Sequence, residues 1–387
     1  MGEAGTYRRS LGLIELVSLG VGGTIGSGIF VVPGVAAQLS GPASLAAWVI
    51  VAVSASCVLL SLAYVAYRFT AKDSFYSLFE SVFGTRFAVP LIVLYLISAV
   101  FGVATIAAGI GQYLTYFGFS GGLAAETAII AAFCGINIAG VALSGKTENV
   151  LTILKTVPLV LIAILLLPFV RLENFVPQSP VTAAGILATV IIVYWPFTGF
   201  EISAVPVEET KDTVLIRRAL LIVMAIVVSI YLVLNIALMG SVGSAVLAAS
   251  PAPVAAAAGV VFPYSGTIVA FIGIIAMLSA MNAYILAASR VLHSIASRFS
   301  LPGIQDLNRR GTPAYAIIAG CVASAGLLLF SNNFSLLATI SVIATLIPYI
   351  FFCLASWILV PDARARIISG IGAVSTAAIL FIYFIVK

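Results

Sequence analysis

Long apolar runs separated by short polar segments fill the chain, and the runs are too long and too even for strands. A membrane-crossing helix needs about 20 apolar residues, whereas a crossing strand needs about ten and alternates polar with apolar. The pattern predicts eleven helices, over 11–36, 42–68, 87–117, 123–144, 149–170, 182–206, 214–240, 262–297, 313–331, 334–360 and 367–386. No intervening segment is long enough for a soluble domain. The stretch 240–261, rich in Ala, Gly, Ser and Pro, predicts short helices over the outer mouth. The first run does not read as a signal peptide, because it lacks a cleavage site and Gly and Pro interrupt its apolar core.

Two runs contain breaks that an anchor does not need. The first carries glycines 22, 23, 26 and 28, followed by Pro33 and Gly34. Small residues can serve close helix packing, but four glycines within seven residues also suit an unwound segment lining a cavity. In that case the half-helix ends present bare N–H and C=O groups to a ligand. A dinucleotide-binding fingerprint is excluded because no strand precedes the glycines. The sixth run holds Tyr194-Trp-Pro-Phe-Thr-Gly-Phe-Glu201, where Pro196 removes a backbone donor and Gly199 loosens the next turn. Breaks in spans one and six fit two five-span halves, although the halves share no clear sequence identity.

Composition fixes the environment. Charged residues are 8% of the 387 and apolar residues 62%, against roughly 25% charged in soluble proteins. So few charges cannot cover a soluble surface, which excludes a cytosolic enzyme, a nucleic-acid binder and a disordered chain. Cys57, Cys134, Cys321 and Cys353 all sit in apolar runs and read as packing residues, not disulfide partners or metal ligands. With the N-terminus inside, 15 of the 18 basic residues fall on the cytoplasmic side, including Arg8, Arg9, Arg68, Lys72, Arg217, Arg218, Arg309 and Arg310. Arg171 and Lys387 fall outside and Lys155 within a span, so positive charge predicts a cytoplasmic N-terminus in a cell membrane. Eleven spans then put the C-terminus outside.

Three ionisable residues fall well inside the predicted spans: Glu15, Lys155 and Glu201. Such groups cost several kcal/mol at depth and are functional candidates by default. Glu15 suits either a helix-terminal anchor or a gate. A desolvated Lys155 can exchange a proton near neutrality, or can stay charged and cap carbonyls. Glu201 suits a latch that accepts N–H groups freed from the first span, or a gate that changes partners. Arg290 and His293 read as snorkelling to the cytoplasm.

Gly22-Gly-Thr-Ile-Gly-Ser-Gly-Ile-Phe-Val-Val-Pro-Gly34 closely resembles the first-span signature of the amino acid–polyamine–organocation (APC) transporters. Phe197-Thr-Gly-Phe-Glu201 with Glu208-Glu209 resembles their sixth-span motif. Ser279, Asn282, Ser289 and Arg290 match their eighth span, and Arg310-Gly-Thr-Pro313 the entry to their ninth. The resemblance runs in order from residue 11 to about 360. It implies an all-α integral membrane protein with a LeuT-like five-plus-five inverted repeat and broken helices 1 and 6. The whole chain 1–387 would be one transporter domain, with repeats 11–170 and 182–360 and an extra helix 367–386. It implies a substrate carboxylate on the N–H groups of Ser27, Gly28 and Ile29, consistent with anion binding at a helix N-terminus. The ammonium would meet carbonyls near Thr24, Ile25, Trp195, Phe197 and Thr198. Trp195 and Phe200 would cover the substrate, and Asn282 joins the candidate binding residues. Lys155 matches a fifth-span lysine of the cationic amino acid transporter branch and its prokaryotic relatives. There the ammonium replaces a sodium ion, which implies protons or exchange as the driving force. The family usually has twelve spans or more, one beyond the eleven read here.

Few acids and no midplane Arg are available, which favours neutral amino acids. The expectation is a secondary active transporter, a proton-coupled symporter or an exchanger, working by alternating access. A polyamine or cationic amino acid antiporter, and a sensor that binds without flux, are the alternatives. No enzyme, cofactor or metal site is expected: there is no Gly-x-x-x-x-Gly-Lys-Ser/Thr, and His293 is the only histidine. The expected partners are an amino acid, protons and the bilayer, with no nucleic acid and no obligate protein partner.

Overall fold

Apart from an isolated bridge between Leu11 and Thr210, every regular element is helical in the computed structural model, which describes residues 11–66, 74–119, 122–140, 145–177, 180–204, 210–212 and 214–386. Arg8, Arg9, Arg68, Lys72, Glu208, Glu209 and Lys387 lie outside the described residues. The order is α1 Leu13–Thr24, α2 Ser27–Ser40, α3 Ser44–Val65, α4 Ser74–Phe83, α5 Thr85–Tyr116, α6 Gly122–Ile138 and α7 Gly145–Leu166. It continues with α8 Ala183–Tyr194, α9 Val214–Ala249, α10 Pro253–Ala258, α11 Ser265–Arg298, α12 Ala314–Phe330, α13 Phe334–Leu359 and α14 Ala363–Val386. Among the described residues, eight stretches are long and apolar enough to cross a membrane, the first running from Leu13 to Val65 through α1, α2 and α3. Two shorter apolar helices, α6 and α12, join them. The chain is therefore a multi-pass membrane protein.

The broken elements sit at the centre. α1 packs on α7, α9 and α11, and α2 packs on α8 and α9. α5 runs between α13, α11, α6 and α12, while α14 covers α3, α8 and α13. Where lipid is the solvent, hydrophobicity does not press helices together, so small residues and hydroxyls do. Ser54 of α3 bonds Tyr194 at 3.1 Å and Ser375 at 2.9 Å, and Ser61 reaches Ser369 at 3.1 Å. Ser98 of α5 bonds Ser341 at 3.2 Å and also Thr345 on α13. The outward faces are apolar, as lipid contact requires: Val374 is 69% exposed and Phe330 90%.

Three features depart from the run pattern. α4 stands between the second and third apolar runs, where no helix was expected. It turns Phe75, Tyr76, Leu78 and Phe79 inward, a 3–4 spacing that buries one face of a short helix. Its Glu80 pairs with Arg298 at the end of α11 and accepts hydrogen bonds from Tyr76 and Thr85. α9 extends past its expected end to Ala249 and kinks at Gly243, where φ is +76°. The segment after the kink and α10 are the short helices expected over 240–261. Finally, Glu126 belongs with the ionisable residues at depth. It is only 3% exposed on α6, against Gly111 of α5, where an added Cβ would lie 2.1 Å from its carboxylate oxygen. It stands at the start of the fourth run and was not singled out from the sequence.

The entry to α12 caps the carbonyl end of α6. Asn308 Nδ2 and Thr312 Oγ1 donate to Ile138 O at 3.0 and 3.2 Å, and Arg310 donates to Ala139 O at 2.7 Å. These bonds satisfy the last-turn carbonyls that a helix leaves open.

Candidate functional site

The first break consists of Ile25 and Gly26, which separate α1 from α2. Gly26 is non-helical, with φ −145° and ψ −142°, and as N-cap offers no side chain to the turn that follows. The first-turn N–H groups of Ser27, Gly28 and Ile29 therefore lack the side-chain oxygen that would ordinarily cap them, and they carry the positive end of the α2 dipole. The carbonyls released from α1 are taken by neighbouring helices. Lys155 of α7 donates to Gly22 O at 2.5 Å, and Tyr231 of α9 donates to Thr24 O at 2.9 Å. Thr24 turns its own hydroxyl back to Gly20 O at 2.6 Å.

The second break follows α8. A 3-10 turn over Trp195–Phe197 leads into Thr198 and Gly199, and a second 3-10 turn covers Phe200–Ala204. Gly199 has φ +94°, and a Cβ there would meet Gly23 O at 2.8 Å. Glycine is favoured on both counts: the backbone angle is one that other residues rarely adopt, and the two breaks touch at this point. They touch again where Gly28 lies on Pro196, since a Cβ on Gly28 would be 2.5 Å from the Pro196 Cα. Trp195 Nε1 donates to Ser27 Oγ at 3.1 Å, tying the second break to the start of α2. Phe197 and Phe200 are buried beside it, Phe197 edge-on to Tyr231 at 5.2 Å between ring centroids.

Lys155 is fully buried. Besides Gly22 O, its ammonium donates to Ser279 Oγ on α11 at 3.1 Å, so it bridges α7, α1 and α11 beside the first break. Thr152, one turn earlier, donates to Ser18 O at 3.0 Å. A lysine so placed has partners for its N–H donors on two other helices.

Glu201 is 4% exposed. Its Oε2 accepts the Gly199 N–H at 3.1 Å and the Tyr349 hydroxyl of α13 at 2.7 Å. The backbone donor it takes thus comes from its own break and not from the first span. Tyr95, Ser98, Thr198, Tyr284 and Thr345 line a small polar cavity with it. Tyr284 hydrogen-bonds Thr198 at 3.1 Å, and Thr198 donates to Trp195 O at 2.8 Å.

Thr24, Ile25, Ser27, Gly28, Ile29, Trp195, Phe197, Thr198 and Phe200 therefore meet at the two breaks, with Lys155 and Glu201 on either side. Asn282 is turned elsewhere: its Oδ1 accepts from Asn137 of α6 at 2.9 Å. Glu15 stays at the start of α1, where its carboxylate accepts the Gly12 N–H at 2.9 Å, a helix-terminal anchor. Tyr231, Tyr284 and Tyr349 were not singled out from the sequence. The available signal was a tyrosine deep inside an apolar run, since tyrosine otherwise gathers at the membrane interface.

The arrangement offers N–H donors for an anion, break carbonyls for a cation, and aromatic walls. A family model described as amino acid permease matches residues 11–386. The branched-chain amino acid permease BcaP of Lactococcus lactis is 25% identical over 90% of this chain and 81% of its own. The serine/threonine exchanger SteT of Bacillus subtilis is 27% identical over 94% of this chain and 86% of its own. Among solved structures, MhsT in complex with L-phenylalanine superimposes with a TM-score of 0.73 at 13% identity, covering 99% of this chain and all of that one. That likeness is one of fold, the LeuT-like arrangement with broken first and sixth spans.

Proposed function

The chain belongs to the amino acid permease family and is a secondary amino acid transporter, and from that premise we propose that it carries neutral amino acids by alternating access, with a proton bound and released at Lys155. The observation that carries this reading is the pair of facing breaks, with uncapped N–H groups at Ser27, Gly28 and Ile29 and a buried lysine one turn away on Gly22 O. The carboxylate of an amino acid suits those N–H groups, because a helix N-terminus stabilises an anion without a basic side chain. Its ammonium suits the carbonyls of Ile25, Phe197 and Thr198, and the second lone pair of Thr24 O, whereas Trp195 O already takes the Thr198 N–H and hydroxyl.

The side chain would meet Trp195, Phe197 and Phe200. Glu201 is engaged by Gly199 and Tyr349, so among the described residues a cationic side chain finds no unengaged carboxylate at the breaks and is disfavoured. Two relatives' names point the same way, toward branched-chain residues for BcaP and serine or threonine for SteT, while that of the cationic amino acid transporter 8 of Arabidopsis thaliana points to the alternative. Glu201 then serves as a latch on the second break that releases when the breaks separate. Lys155, protonated, bridges α1, α7 and α11; deprotonated, it loses part of that grip and frees α1 to move. We place the protein in a cell membrane with eleven spans in a single domain, N-terminus in the cytoplasm and C-terminus outside.

Uptake by purified protein in proteoliposomes tests the reading. Alanine, serine and leucine should accumulate under an inward proton gradient, with Lys155→Ala abolishing the gradient dependence. Arginine taken up as fast as alanine would sink the substrate class. Unchanged gradient dependence in Lys155→Ala would remove the lysine from coupling. A sensor in place of a carrier would bind these amino acids and show no flux.

A further inference from the structure

A groove of about 390 Å³ runs between α5, α11 and α12, away from the breaks. We infer that it holds one acyl chain of a bilayer lipid, seated against the wall of the Glu201 cavity. Three observations carry this. First, the rim is continuous with the surface the bilayer touches: Val93 and Ile97 of α5 line the groove and are 44% and 39% exposed. Second, the lining asks for no hydrogen bond. Its two serines are already satisfied, Ser289 by Leu286 O at 2.9 Å and Ser324 by Val100 O and Gly320 O at 2.9 Å each. With those donors spent, a headgroup, a sterol hydroxyl or water finds little there beyond the two serine oxygens, and a hydrocarbon chain needs nothing more.

Third, the space is real on the α12 side. A Cβ added to Gly320 meets no atom within 4 Å. An apolar space left open loses the dispersion contacts of its lining, and hydrocarbon from the bilayer is the material at hand to fill it. The groove's inner wall gives the site a consequence. Ala99 of α5 lines both this groove and the polar cavity of Glu201, Thr198 and Tyr284. A chain in the groove thus lies one alanine away from the second break, and braces the α5–α11 wall on which Tyr284 holds Thr198.

The test is photo-cross-linking of the full chain in dioleoyl-phosphatidylcholine vesicles doped with a diazirine-acyl analogue. Adducts should concentrate on α12 around Gly320 and Ala323, above the level on the lipid-exposed face of α14. Gly320→Leu fills the groove from within, and leucine is favoured over glycine in a helix, so this variant should fold. It should cut the α12 adducts by about tenfold, because a leucine side chain takes the volume the lipid chain would occupy. Ala323→Leu, on the same wall, is the second variant. Wild-type uptake should slow in vesicles of methyl-branched diphytanoyl chains, which are too bulky for the groove, while Gly320→Leu should be indifferent to that change. Adducts on α12 no more abundant than on α14, or unchanged by both variants, would overturn the site. Cross-links to a second copy of the chain would overturn it in favour of a dimer contact, and equal lipid sensitivity of wild type and Gly320→Leu would overturn the brace.

Discussion

Replacing Gly199 with alanine adds one methyl group where the two breaks meet, and the expected cost follows from the geometry. The residue sits at φ +94°, and its new Cβ would lie 2.8 Å from Gly23 O, 3.1 Å from the Gly23 carbonyl carbon and 3.2 Å from the Tyr284 hydroxyl. The backbone angle costs an alanine about 1–3 kcal/mol. Forcing a methyl into backbone at that distance costs about as much again, because Gly23 is held in α1 and cannot give way as a flexible side chain would. The arrangement with both breaks in contact therefore loses about 2–6 kcal/mol, and even the lower bound lowers affinity about 30-fold. Equilibrium binding of a labelled neutral amino acid to detergent-purified protein reads this directly. Gly326→Ala is the control: it lies on α12, its Cβ meets nothing within 4 Å, and it should bind as wild type does. A Gly199→Ala protein that is folded and binds within about threefold of wild type would refute the contact between the breaks as part of the binding arrangement.

Tyr231→Phe removes the hydroxyl that satisfies Thr24 O. Leaving that buried carbonyl short of a partner should cost about 1–3 kcal/mol and lower the thermal unfolding midpoint by a few degrees in detergent. An unchanged midpoint would mean that water or another donor replaces the hydroxyl without loss. The docking of α4 should depend on pH. Hydrogen bonds from Thr85 first, then Tyr76 and Arg298, hold the Glu80 carboxyl below its ordinary value of 4.5. Because the docked value is the depressed one, the contribution is complete above about pH 4.5 and is lost as pH falls through the lower docked value. Proteolysis next to α4 should therefore accelerate in acid for the wild type, while Glu80→Gln should be cut at a rate that no longer varies over that range.

The long apolar helices and the two breaks were legible because local composition dictates them. Glycines 22, 23, 26 and 28, and the Pro196 to Gly199 segment, announce irregular backbone without reference to anything distant. What satisfies that backbone was not legible. Tyr231 reaches Thr24 across 207 residues of sequence and Tyr349 reaches Glu201 across 148, and no periodicity encodes such pairings. Glu201 offered two roles on paper, and only the folded positions of Gly199 and Tyr349 say whose protons it accepts. Asn282 read as a binding candidate because the eighth-span motif includes it, and only the fold shows its side chain accepting from Asn137 of α6. α4 went unread for a different reason: a search for runs of about 20 apolar residues passes over a ten-residue amphipathic helix. Its Phe75, Leu78 and Phe79 spacing would have revealed it. Glu126 shows the limit of run boundaries, where a few residues decide whether a carboxyl reads as solvated or buried.

The most direct test of the transport account is proton movement with substrate. Proteoliposomes loaded with a pH-sensitive dye and held at equal pH on both sides should acidify inside when alanine is added outside. Vesicles carrying Lys155→Ala should not acidify, and added arginine should give little change. Alanine entering wild-type vesicles with no acidification would contradict proton coupling at Lys155, and arginine acidifying the lumen as fast as alanine would contradict a site built for neutral amino acids.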